Sequence, residues 1–358
     1  MKNKKLFFYL PAAILGIYGA IRYSAECSRG ITQGINFCLS VLIPSLFLFM
    51  LLSSLIVRSR LALFLTKPLS GLSKALFKLP SVSLAAILLA LIGGYPVGAR
   101  AVSALYEKGM LSHSQAQKTA YVAVAAGPGF VVNYIGQALL NHKTTGILLL
   151  VSQTVSVILT GVIIGRTVSC DEMRHPENAD IPENNLLIDA VTDASKGAFS
   201  MCAMVIVFCA LTEVLSAVFS SFPEAVGLAA GLLEVTTGVN RAAGVYPLWL
   251  IAFYVGFGGL SVHFQIFASL GEIPVKKHLF FLYRIIQGII ASLLTYISVS
   301  IFPGTTAVFS TIETKASAEI SGTLWGSAAL VLLSLFFLGS IGQGGNYVRN
   351  RRNHHNRI

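Results

Sequence analysis

The chain has 358 residues, 54% of them hydrophobic and only 11% charged, and its mean hydropathy of +0.73 lies far on the apolar side of soluble proteins. These values exclude a soluble globular protein and describe a membrane protein built from helices, since no segment shows the ten-residue alternation of a membrane β-barrel. The formal net charge of +11 does not mark a nucleic-acid binder, because the basic residues flank apolar runs and form no separate basic domain.

In chain order, MKNKKLFFYLPAAILGIYGAI has the basic start and apolar core of a signal peptide. It lacks an A-x-A cleavage site around Tyr23 to Cys27, so a retained first helix is expected. Apolar runs then predict about eight transmembrane helices, near 6–21, 34–57, 120–140, 144–165, 198–220, 246–270, 279–302 and 322–341. Two further pieces, 81–110 and 223–243, are too interrupted for simple spans and read as re-entrant hairpins. Residues 58–78 mix apolar side chains with five lysines and arginines around Pro68, the pattern of a helix lying in the interface. Residues 166–197 turn polar and acidic and read as a cytoplasmic linker between two halves, 34–165 and 198–302. A final helix and basic tail fill 303–358. The distribution of lysine and arginine places both termini in the cytoplasm.

The two halves have the same order of parts. In the first, a helix leads to LIGGYPVGAR, then AVAAGPGFVVNYIGQ, then a plain helix; in the second, a helix leads to LLEVTTGVNR, then YVGFGGLSVHFQ, then a plain helix. Aligned without a gap, Leu91 falls on Leu232 and Arg100 on Arg241, while the break at Gly127 and Gly129 falls near Gly258 and Gly259. An odd number of crossings between the halves makes this an inverted repeat, the architecture in which transporters bind substrate at paired helix breaks. The free backbone groups of such breaks are tolerated only where buried in protein or facing a polar cavity. Half-helix N-termini offer bare N–H groups to an anion.

GGYPVGARAVSALYEKGMLS with AAGPGFVV, followed by GLLEVTTG and FGGLSVHFQ, resembles the YlbJ (SpoV-type) family of sporulation integral membrane proteins, which carry the nucleoside-recognition gate domain. The match runs over roughly residues 34 to 300. The resemblance implies a polytopic protein of the outer forespore membrane that transports dipicolinic acid, made in the mother cell, toward the forespore. It also implies a distant likeness to concentrative nucleoside transporters, with two opposed hairpins and two broken helices.

A flat pyridine with two carboxylates needs two anion-binding elements and an apolar slot. Arg100 and Arg241, one per hairpin, are the candidate carboxylate clamps. The bland alternative is that each snorkels to an interface or pairs with a carboxylate such as Glu234. Gly94, Tyr95, Gly98, Gly127, Gly129, Gly258 and Gly259 mark the turns. Glu234, Thr236, Thr237 and Asn240 supply polar groups at the second break; Asn133, Ser261, His263 and Gln265 follow the glycine turns. His263 and Gln265 are two residues apart and point to different faces of a helix, so only some of this set should face the substrate. Glu234 is a candidate for a coupling proton or cation, or for a permanent salt bridge. Glu107 and Lys108 read as a structural turn, and Glu213 as a residue reaching the outer interface.

Five scattered cysteines with no C-x-x-C pair argue for neither disulfide framework nor metal site. With no P-loop, His-Glu-x-x-His or Gly-x-Ser-x-Gly motif, neither an enzyme nor a cofactor is expected. The partners expected are a small dicarboxylate, a coupling ion and the lipid bilayer, with a homo-oligomer left open and nucleic acid excluded. Two other readings remain: a symporter for nucleosides or other small organic anions, and a non-transporting scaffold or signalling protein.

Overall fold

The computed structural model describes residues 16–19, 21–59, 61–170 and 186–301, and these are predominantly helical, with no strand among them. Five helices are long and apolar enough to cross a bilayer: Ser24–Val57, Lys143–Thr167, Leu186–Val218, Leu248–Leu270 and Lys277–Ile301. The chain is therefore a multi-pass membrane protein, as the composition requires. Of the eight spans expected, most of 6–21 and all of 322–341 lie outside the described residues.

The first described span joins α1 (Ser24–Phe37) to α2 (Ile43–Arg58) through a π-helical turn at Cys38–Leu42. It begins ten residues before the expected helix at 34. The basic segment that follows is two short helices, α3 (Leu61–Thr66) and α4 (Ser70–Phe77), split at Lys67–Leu69, where Pro68 cannot donate the helical hydrogen bond. The acidic linker is also shorter than expected. Helix α8 (Lys143–Thr167) precedes it, and α9 (Leu186–Val218) starts a dozen residues before position 198, packed along α1 and α2.

Both interrupted segments are helical hairpins. In the first, α5 (Ser83–Gly93) and α6 (Tyr95–Glu107) meet at Gly94, whose φ of 94° only glycine adopts readily. In a continuous helix Ala90 and Gly98 would stand about 12 Å apart. Here a Cβ added to Gly98 would lie 2.5 Å from that of Ala90, so the arms fold back on each other. In the second, α10 (Pro223–Leu233) and α11 (Val235–Ala242) meet at Glu234, and a Cβ on Gly238 would lie 2.0 Å from the Cα of Gly231.

The expected span at 120–140 is not one helix. After α7 (His113–Val122) the chain is unwound over 123–127 and resumes as a π-helical segment, Gly129–Leu139. The span Leu248–Leu270 is likewise broken, into α12 (Leu248–Phe257) and α13 (Gly259–Leu270), by two consecutive positive φ values at Gly258 and Gly259. Helix α14 (Lys277–Ile301) closes the described residues and packs on α8 and α12.

Backbone lies against backbone at the second hairpin, so Gly238→Ala has no side chain to displace. Thermal unfolding in detergent should show it destabilised by about 1–3 kcal/mol. Gly71→Ala, which meets nothing within 4 Å, should show no loss.

Candidate functional site

Four breaks converge. A Cβ on Gly127 would lie 3.1 Å from the Gly94 nitrogen, and one on Gly259 would lie 3.1 Å from the Val235 nitrogen, so each unwound helix meets the tip of one hairpin. Tyr95 joins the two pairs: its hydroxyl donates to the Val255 carbonyl on α12, and its ring lies beside Gly258.

A cavity of about 30 Å³ sits where the breaks meet, walled by Gly94, Tyr95 and Gly127 from the first half and Glu234, Thr236 and Gln265 from the second. Leu42, Leu46, Phe130, Met201, Val205 and Val262 supply its apolar side. Its size suits roughly two waters. A pyridine dicarboxylate is larger than this space.

Glu234 is 1% exposed and caps the N-terminus of α11: its two carboxylate oxygens accept from Thr236 N at 3.0 Å and Thr237 N at 2.6 Å. No cationic side chain among the described residues forms an ion pair with it. The extended backbone at Glu234 is what lets its side chain reach forward to those amides. Thr237 turns its hydroxyl to the Cys209 thiol.

The two arginines are placed otherwise than the clamp reading expects. Neither lines the central cavity. Arg100 forms an ion pair with the Asp193 carboxylate and donates to the Asp193 carbonyl at 2.6 Å, beside a smaller pocket lined by Ser53, Ser54 and Val57. Arg241 donates to Glu213 at 2.6 Å and to Ser216 Oγ at 2.9 Å. Both are paired with carboxylates, but on α9 rather than at Glu234. Glu213 is thus an arginine partner rather than a residue that merely reaches an interface. The symmetry is instructive: the second arm of each hairpin is tied to the same helix, at positions twenty residues apart, about 30 Å along its axis.

Other expected residues divide. Asn133 is exposed and does not reach the cavity, because the π-helical winding turns Phe130, not Asn133, inward. Asn240 is exposed and donates to Tyr134 at 3.2 Å. Gly98 and Gly129 serve close packing, against Ala123 and Ser45 respectively. Ser261 accepts from Gln265 Nε2 at 3.2 Å. His263 points away from the cavity into Phe257, Phe280 and Phe281, with Nε2 donating to the Phe257 carbonyl at 2.9 Å. The YEKG turn ends α6, where Lys108 donates to the Val57 carbonyl at 3.0 Å. Among the described residues no cluster of three metal-ligating side chains occurs.

No family model matches the chain, and no solved structure matches it. Among curated proteins, the sporulation integral membrane protein YlbJ of Bacillus subtilis is 22% identical over 330 residues, covering 80% of this chain and 79% of the relative. The chain is similar to YlbJ. That likeness spans both hairpins and supports the family suggested by GGYPVGAR and LLEVTTG, while the name of YlbJ specifies a membrane and a process but no substrate.

Two measurements check the geometry. Glu234→Ala removes the acceptor of two helix N–H groups and should destabilise the protein by about 1–2 kcal/mol in detergent unfolding, with Glu234→Gln losing less. A double-mutant cycle on Arg241 and Glu213 should give a coupling of about 1 kcal/mol; additive single mutants would mean that the pair does not hold α11 to α9.

Proposed function

We propose that this chain is a multi-pass membrane protein of sporulation that carries a small aromatic dicarboxylate, with dipicolinate the candidate, across the outer forespore membrane toward the forespore. The observation that carries the reading is the close approach of four helix breaks, two from each half, three of which line one cavity with a carboxylate on its wall. A protein needing only to span the bilayer gains nothing from such breaks, which expose backbone groups that lipid cannot satisfy. The two hairpins are read as re-entrant segments of an inverted repeat, and the likeness to YlbJ supports the sporulation context.

Because Glu234 faces the same cavity, a dianion would bind there only with a proton or a cation on that carboxylate, which makes Glu234 the coupling site. Exchange between the two sides then requires each hairpin to swing from its partner break, with the α9 ion pairs as the closed-state ties.

A second reading has its own support. The cavity wall carries Glu234, Gln265 and Thr236 and no arginine, a lining suited to a neutral solute rich in hydrogen-bond donors such as a nucleoside.

Uptake of labelled dipicolinate and of uridine into proteoliposomes separates them. Dipicolinate uptake above protein-free vesicles, driven by a proton or cation gradient and lost in Glu234→Gln, is the expected result. Preferential uridine uptake would establish the second reading, and background uptake of both would leave a scaffold.

A further inference from the structure

Arg284 was not singled out by the sequence, yet it is the largest side chain in the fully buried core. It sits in LFFLYRIIQGII, eight residues into α14, with no polar neighbour in sequence that pairs with it. An arginine so placed is costly and is kept for a reason. Its guanidinium donates to the Tyr121 carbonyl at 2.8 Å and the Val124 carbonyl at 3.1 Å, and it lies 5.6 Å from the Phe280 ring. Gln287, one turn along, donates to the same Val124 carbonyl at 3.3 Å.

Those carbonyls belong to the end of α7 and the unwound segment after it. A broken helix leaves its last carbonyls unpaired, and they carry the negative end of its dipole. Arg284 satisfies two of them, and in doing so holds the unwound segment 123–127, whose Gly127 abuts Gly94 and walls the cavity. Carbonyl dipoles offset a full charge only in part. Arg100 and Arg241 are each neutralised by a carboxylate, whereas Arg284 has no acidic partner among the described residues and its Nε has no hydrogen-bond partner. Lys118, in the middle of α7, is held by carbonyls too, but from Lys78 and Gly165 rather than from the break itself.

Tyr95, on the cavity wall, donates to the Val255 carbonyl, and the next residue, Gly256, abuts Gln287 and Gly288 one turn from Arg284 on α14. The cavity therefore has a carboxylate on its wall, and a guanidinium without an ion-pair partner among the described residues is bound to the break whose Gly127 lines it.

We propose that Arg284 is the specificity-determining residue of the central site: a buried positive charge, held by the carbonyls of the α7 break, that makes the cavity prefer a carboxylate anion to a neutral solute of the same shape. This rests on the transport reading above and supplies the cation that the cavity wall lacks. Arg284 is a positioning residue for the unwound segment as well, so the test must separate charge from scaffolding.

The full chain in lipid nanodiscs is titrated with pyridine-2,6-dicarboxylate and with the corresponding diamide, for the wild type, Arg284→Lys, Arg284→Gln and Gln287→Glu. The dicarboxylate-to-diamide affinity ratio should fall by on the order of tenfold in Arg284→Gln, and Arg284→Lys should keep most of it. Gln287→Glu, which retains Arg284 and sets a carboxylate one turn from it, should lose the preference as Arg284→Gln does. If Arg284→Gln does not insert, the Gln287→Glu ratio decides alone. A wild-type ratio in Gln287→Glu, or in a folded Arg284→Gln, overturns the proposal and leaves Arg284 a helix cap. Wild-type protein that binds neither compound overturns the transport reading, and this one with it.

Discussion

Lipid offers no hydrogen bonds, so every helix broken inside the membrane domain must find partners for its freed N–H and C=O groups within the protein. The described residues contain four such breaks, and hydrogen bonds answer part of what they free: Glu234 takes two N–H groups of α11, and Arg284 with Gln287 takes the Tyr121 and Val124 carbonyls, while the glycines let Gly127 pack on Gly94 and Gly259 on Val235. The fold is organised around these debts of the backbone more than around side-chain packing, and the glycines are where they are so that one break can touch the next.

The hairpins were legible because breakers are local. Gly-Gly-Tyr-Pro interrupts a helix whatever surrounds it, LLEVTTGVNR is marked by β-branched residues and a glycine, and the likeness of the halves was visible because each places an arginine six or seven residues beyond its break. The partners of those arginines were not legible. Arg100 and Asp193 are ninety-three positions apart, and Asp193 lies in a segment whose polar composition reads as a loop. It is helical because α9 is propped along α1 and α2, a tertiary cause that sequence periodicity does not contain.

Side-chain direction was legible only in part. The two-residue spacing of His263 and Gln265 correctly separates their faces, and the structure gives the cavity to Gln265 and an aromatic nest to His263. Asn133 could not be placed, because a π-helical stretch rotates side chains off the ordinary helical period. Arg284 had a signal that reading by motif passes over: a lone arginine in the apolar half of a span, with a glutamine three residues on.

The helix that carries both acidic partners has a further consequence. Asp193 and Glu213 stand about 30 Å apart along α9, which is the thickness of an ordinary hydrocarbon core. The spacing of the two ion pairs therefore matches that thickness. A thicker membrane draws both pairs toward hydrocarbon, where opening them leaves charges in a poor solvent; a thinner one bathes them in headgroups and water. The width of the surrounding bilayer would then bear on how firmly both hairpins are fastened to α9.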